Sequence, residues 1–474
     1  MKRVDMIVEA PHFYTMEGEG VGYLSDAAMA IDGGKIVAVG GREDIRKEYT
    51  AEEVMSKPHH MILPGFVDAH MHTDITVLRG LAQDTKYWMM YGLSPFSNVI
   101  DLDDESAGGK LGYLEAIRNG TTTFSDFNEN IENTCRFVEK IGARACLTPE
   151  IRDAKFRVYE PGELYEFDRN MGEKSFNENI EIFDKWNGKA NGRIKIFFGP
   201  QGADFCSQEL LMKIRQAAIE RKTKIHMHVQ QGDRETYQIE KRYGKRPVAW
   251  LDEIGYLDEN LISVHLTDCT EEEVRFVASK KSPMVACPGS IGIIDGIVPP
   301  FTAFKEAGGI VGLGSDQAPG NNCHNMINEM KLAALFSKIK YSDPEKTPAW
   351  EALRMATIDS AKVLGLDDKI GSIKEGKCAD FIAVDLREYT MMPLYTKPMR
   401  NMVPNLVYAA RGNEISTVVV DGKVLVEDGC LRIGDPELLK DEAQRHADDI
   451  AVRATDGFWK VNGSNATMMK EGKL

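Results

Sequence analysis

The feature that most narrows the fold of this 474-residue chain is a rhythm in its middle. Eight apolar, strand-like runs lie at 61–72, 120–127, 143–151, 194–201, 224–229, 261–266, 283–288 and 309–316. Most are separated by helix-length segments, such as 209–221 and 270–279. Strands that alternate with helices build parallel sheets, because each helix carries the chain back to begin the next strand beside the last. Eight such units in about 250 residues are the measure of a (β/α)8 barrel. The expected fold class is therefore α/β, with that barrel at its centre.

Both ends of the chain have a different texture. Early on, the apolar runs 28–31 and 35–39 flank Asp32-Gly33-Gly34; late in the chain, 416–420 and 423–426 flank Asp421-Gly422. Asp-Gly between apolar runs is a hairpin signal. The two β-rich ends are expected to pair into one small composite β-sandwich. The resulting division is 1–60 for its first part, 61–365 for the barrel, 366–432 for its second part and 433–474 for a charged helical tail. No repeat of solenoid period interrupts it.

Composition removes several classes of partner. The net charge of −15 repels phosphate backbones and anionic membrane surfaces, so neither nucleic acid nor membrane is expected as a partner. No run of 18 apolar residues is present, and the start reaches Asp5 and Glu9 before any long apolar core, so it does not read as a secretory signal. The eight cysteines are scattered without a Cys-x-x-Cys pair, which reads as reduced thiols of a cytoplasmic protein.

Chemistry gathers at the ends of the barrel runs. His70 and His72 end the first, His226 and His228 the fifth, and His265 the sixth; these are five of the ten histidines in the chain. Residues i and i+2 of a strand share a face, so both members of a pair point the same way, at the mouth where barrel enzymes work. Asp316 ends the eighth run. Neutral imidazoles with one carboxylate suit a borderline divalent ion, Zn²⁺ first, with Fe²⁺, Mn²⁺ and Co²⁺ also fitting. Trp88, with Met89, Met90, Tyr91 and Phe96, follows the first run and is expected to form an apolar substrate wall. His324 and Cys323, just past Asp316, are expected to meet the substrate and offer a proton.

The phrases that carry these residues are Pro64-Gly65-Phe66-Val67-Asp68-Ala69-His70-Met71-His72, Leu78-Arg79-Gly80-Leu81, His226-x-His228 and Gly314-Ser315-Asp316 followed by Asn321-Asn322. With Gly120-Thr121-Thr122-Thr123 and Gly376-Lys377-x-Ala379-Asp380, they make the chain resemble the amidohydrolase superfamily. The nearest branch is that of nucleobase, adenosyl-thioether and s-triazine aminohydrolases and chlorohydrolases. The resemblance implies one divalent metal held by His70, His72, His228 and Asp316. It places His265 beside the ion, as a polarising group or fifth ligand, and His226 behind the ligands. It also implies a homo-oligomer, a small-molecule substrate and no organic cofactor. The expected mechanism is attack of metal-bound hydroxide on an sp² carbon, with Asp316 taking the proton of the water.

Three positions depart from that branch. Where its deaminases carry a proton-shuttling glutamate three residues after the second fifth-strand histidine, this chain has Gln231, which hydrogen-bonds but does not transfer a proton as an acid. Gln201 replaces a histidine after the fourth run, and Cys287 stands where His or Asn is common. Gln231 and Gln201 are accordingly expected to contact substrate. The expected function is cleavage of a non-peptide C–N bond, or an analogous C–S or C–Cl bond, in a small apolar molecule. Candidates are a substituted urea, a (thio)carbamate, an amide or a heteroaryl amine. The first alternative is a deaminase of a purine, pterin or s-triazine, with Asp233, Glu235 or His324 replacing the lost acid. The second is a catalytically inert, ligand-binding barrel.

Overall fold

The computed structural model describes residues 1–474 other than Tyr87, Asn130, Phe156, Val158, Glu160, Pro161 and Asn462, and the side chain of Met90. The chain opens with β1 (Lys2–Tyr14), β2 (Tyr23–Asp32), β3 (Lys35–Gly41), β4 (Tyr49–Ser56) and β5 (His60–Pro64). The β2–β3 hairpin closes where expected: Asp32 pairs with Lys35, and Gly33 and Gly34 take φ of 55° and 74°. Those are left-handed conformations that glycine adopts without a Cβ clash.

The run 61–72 is not one strand but two. Its first residues belong to β5, which pairs with the composite sheet, and the barrel begins at Phe66. Gly65 is the pivot. A Cβ there would fall 2.1 Å from Thr122 Oγ1, so the close turn between the two sheets tolerates no side chain. The boundary expected at residue 60 therefore moves to residue 64.

The barrel strands are β6 (Phe66–His72), β7 (Thr121–Asn128), β8 (Arg144–Ile151), β9 (Ile194–Ile196) continued by β10 (Gly199–Pro200), and β11 (Ile225–Val229). They go on as β12 (Leu261–His265), β13 (Met284–Ala286) and β14 (Val311–Leu313), the last continued by β15 (Asp316–Gln317). Parallel ladders join neighbours; bridges Phe198–Ile225 and Gly202–His228 link β10 to β11, and Asp316 pairs with Met71 to return the last strand to the first. Every expected run thus contains a barrel strand. Cys146, Phe197, Ile262, Val264 and Val285 cluster inside as the floor, while Leu147, Met227, Leu261, Met284 and Leu313 pack outward with the helices. Each such apolar side chain contributes about 1.5–3 kcal/mol on burial. The helices start on ordinary caps: Ser207 for Gln208–Glu220, and a Thr270/Glu273 capping box for Glu271–Ser279.

The late strands β16 (Phe381–Asp385), β17 (Ile415–Val420), β18 (Lys423–Glu427) and β19 (Cys430–Leu431) complete the composite domain. One sheet runs β19-β18-β17-β16-β5-β1-β2-β3, with β4 on β1. It encloses a core in which Val8 and Met29 from the start of the chain meet Phe381, Ala383 and Val419 from its end. Arg144, at the foot of β8, pairs with Asp380 at 2.6 Å and Asp421 at 3.4 Å, riveting barrel to sheet. The tail helix Pro436–Val461 lies on the barrel: Arg453 and His446 meet the buried Asp104 carboxylate at 2.6 and 2.7 Å. Among the described residues all eight cysteines are free, and no helix is long and apolar enough to cross a membrane.

Candidate metal centre

Strand alternation delivers the donors. His226 and His228 face inward on β11, since Ile225, Met227 and Val229 pack outward. His265 is different. It follows the inward Val264, so a regular strand points it outward; its φ of 76° turns it back, and its ring comes to 5.4 Å from that of His70 and 5.5 Å from that of His228. Asp316 also has a positive φ, 59°. Such conformations cost about 1–3 kcal/mol each and cluster at functional sites. Gly314 lets the eighth strand approach the first: a Cβ there would lie 2.6 Å from the His70 carbonyl oxygen.

The ligand atoms of His70, His72 and His228 lie within 4.8 Å of one another, as do those of His70, His265 and Asp316. Asp316 Oδ1 is 3.5 Å from His70 Nε2 and 3.7 Å from His72 Nε2. His72 Nδ1–H donates to the Phe127 carbonyl at 2.6 Å and His228 Nδ1–H to the Gln201 carbonyl at 2.7 Å. In neutral rings this tautomer leaves a lone pair on each Nε2, and the two Nε2 atoms face each other at 3.3 Å. His70 Nε2, both nitrogens of His265 and Asp316 Oδ2 are buried without a hydrogen-bond partner. Orphaned acceptors in such a cluster fit a cation. Burial holds His70 and His228 well below the usual imidazole range and takes His265 down to about 4, so the rings stay neutral, as metal ligands must be.

A second set of side chains fixes the first. His70 Nδ1 sits 3.0 Å from His226 Nε2, and His226 Nδ1 reaches Thr148 and Ser125 hydroxyls at 3.2 and 3.3 Å. His226 thus orients His70 from behind. Asp68 accepts the Ser315 N–H at 3.0 Å and its hydroxyl at 2.5 Å, tying the first strand to the residue before Asp316. Asp68 escaped the motif reading, although it stands two residues before His70.

The remaining expected residues divide. Gln201 supplies its carbonyl to His228 and leaves its amide oxygen buried and unpartnered, while Gln231 is half-buried, its backbone N–H donating to Glu235 at 3.1 Å. Trp88 is half-buried in the loop after β6 with its indole N–H unpartnered; Met90's side chain lies outside the described set. His324 does not meet the mouth. It is fully buried, Nδ1 at 2.9 Å from Ser315 Oγ and Nε2 at 3.1 Å from Thr76 Oγ1, because the helix after β15 folds it under the loop. Cys323 is half-buried, its sulfur 3.6 Å from the Asn328 amide nitrogen.

Barrel, composite sheet and this donor set together define a metal-dependent hydrolase class, and residues 61–425 match the amidohydrolase family. The chain belongs to that family and is a hydrolytic enzyme of carbon–nitrogen bonds, which sets aside the inert barrel. A 5-methylthioadenosine/S-adenosylhomocysteine deaminase of Pelotomaculum thermopropionicum is 32% identical over 445 residues, covering 94% of this chain and 98% of the relative. A 5'-deoxyadenosine deaminase of Methanosarcina mazei is 30% identical, covering 95% and 99%. Among solved structures, an adenosine deaminase from Xanthomonas campestris with bound zinc superposes with a TM-score of 0.86 at 28% identity, covering 95% of this chain and 99% of that one.

Proposed function

We propose that this chain is a zinc-dependent aminohydrolase that removes the exocyclic amine from an N-heterocycle, with adenosine derivatives the first class to test. The observation that carries this is the pair of Nε2 atoms facing each other 3.3 Å apart, completed by His70 and Asp316, in a chain whose relatives are deaminases of adenosine derivatives. His70, His72, His228 and Asp316 would hold the ion. When bound, a dication supplies Lewis acidity and lowers the pKa of water from 15.7 towards about 7.

The protein's own groups do the rest. Asp316 Oδ2, buried and free, accepts a proton from the attacking water and delivers it to the leaving nitrogen. His265, whose nitrogens are both free, lies beside the reacting carbon and hydrogen-bonds the charge that develops there. His226 keeps His70 in register, and the closed floor excludes bulk water.

One observation favours a second reading, hydrolysis of a substituted urea, carbamate or thiocarbamate: Gln231 stands where the branch's deaminases hold an acid. A panel run on zinc-loaded protein separates them. Ammonia release from 5'-deoxyadenosine, methylthioadenosine, adenosine or guanine is the expected result. No ammonia from any N-heterocycle, with turnover of a phenylurea or thiocarbamate, overturns it in favour of the second reading.

A further inference from the structure

We propose that the substrate enters the centre as a cation, an amidinium or an amino-N-heterocycle protonated on its ring, and that Glu150 anchors it; this rests on the aminohydrolase reading above. The strand geometry places Glu150. Cys146 lies in the barrel floor and Thr148 meets His226, so Glu150 points into the mouth one step higher, while Ala145, Leu147 and Ile151 pack outward. Its side chain is 14% exposed.

Among the described residues the charges around it do not balance. Arg152 is shared between Glu150 at 3.1 Å and Glu129 at 3.0 Å, two carboxylates on one guanidinium. Just past the neighbouring strand β10, the fully buried Asp204 pairs with Arg234 at 3.0 Å and also feels the charge of Arg242, and its Oδ1 has no hydrogen-bond partner. That oxygen overhangs Gly202, the residue bridged to His228: a Cβ on Gly202 would meet it at 3.0 Å. Asp295, after β13, is pushed up to about 6 by burial and by Asp316 and Asp233. Glu150 is pushed up to about 7, chiefly by burial, with Glu129 adding and Arg152 opposing. A partly dehydrated mouth rimmed by excess carboxylate focuses a negative potential that draws cations and rejects anions.

A cationic substrate also accounts for Gln231. The branch's glutamate brings a proton to the ring nitrogen under attack; a substrate that arrives with that proton needs a hydrogen-bonding amide there and no acid. Atoms and charge balance. The water oxygen bonds to the amidinium carbon, the C–NH2 bond breaks, and both water protons end on the departing nitrogen, one by way of Asp316. Ammonium leaves, the ring nitrogen keeps its proton, and the organic product is neutral.

The test reads binding on zinc-loaded protein by calorimetry, with benzamidine as the planar cation and benzamide as its neutral isostere. Benzamidine should bind about tenfold more tightly at low salt, as one charge-assisted contact implies. Glu150→Gln should remove that advantage and leave benzamide binding unchanged. In the unsubstituted protein, rising ionic strength should weaken benzamidine and spare benzamide, a measurement that needs no variant. Equal affinity for the two probes, or an advantage that survives both Glu150→Gln and high salt, overturns the proposal. Since no turnover is involved, failure here leaves the aminohydrolase reading standing, and absence of ammonia release leaves this result standing.

Discussion

An imidazole that donates through Nδ1 to a backbone carbonyl has no freedom at Nε2, and His72 and His228 are both held this way by Phe127 and Gln201. At this scale function is a matter of which lone pair is left over. Asp316→Asn keeps the shape of the side chain and removes its basicity, so turnover should fall by at least about a hundredfold with unchanged unfolding by circular dichroism. Full activity in that variant would rule out its role as proton acceptor. Glu235 offers a second test. Burial, with Asp204 beside it, lifts its carboxyl from 4.5 to about 8. The folded chain then keeps a proton that the unfolded chain releases above its own pKa, so this stabilisation is complete below the unfolded value and fades as pH rises through about 8. Glu235→Gln should flatten the decline of the melting midpoint across that window; an unchanged slope contradicts the assignment. The histidine pairs were legible because strands repeat every two residues. His324 was not, since its neighbourhood in sequence to Asp316 says nothing of the Ser315 and Thr76 hydroxyls that enclose it.

At the scale of elements, the centre is assembled from loops that must be braced against one another. His324 spans the loop after β6, through Thr76, and the residue before Asp316, through Ser315. His324→Ala removes the ring that both hydroxyls face, although these keep their bonds to Thr73 and Asp68, and empties its buried volume; it should cost about 1–3 kcal/mol in denaturant unfolding. Because Ser315 also holds Asp68, affinity for a divalent metal should drop about 10- to 100-fold in a chelator competition; unaltered metal retention would show that the brace does not reach the candidate ligands. Helices were readable as helix-length segments between the apolar runs, and hairpins from Asp-Gly turns. The division of 61–72 into β5 and β6 was not, because Gly65 sits inside one apolar run and its need for space depends on Thr122, far off in sequence.

At the scale of the molecule, the barrel and the composite sheet share one apolar cluster and a buried ion pair. Arg144 comes from the barrel and Asp380 and Asp421 from the composite sheet, and Arg144 and Asp380 are each 4% exposed. Arg144→Met strands the buried Asp380 carboxylate, while Asp421 keeps Arg193, and should destabilise the protein by about 3–5 kcal/mol, read from the denaturation midpoint. A change below about 1 kcal/mol would mean that water already screens the pair. The tail helix completes this scale by packing on the helix Leu102–Arg118 through Asp104. Its charge pattern announced a helix but not the surface that receives it.

What the sequence determined by itself was periodic: eight strand–helix units, two hairpins, and side-chain pairs at strand ends, all of which follow from local repeat lengths. What the tertiary structure decided was non-local. The inward turn of His265 comes from one positive φ that no period encodes, and Gly314 works by its closeness to His70, which lies far from it in sequence. Periodicity fixes which way a residue points along its own strand; only closure of the barrel sets what stands opposite it.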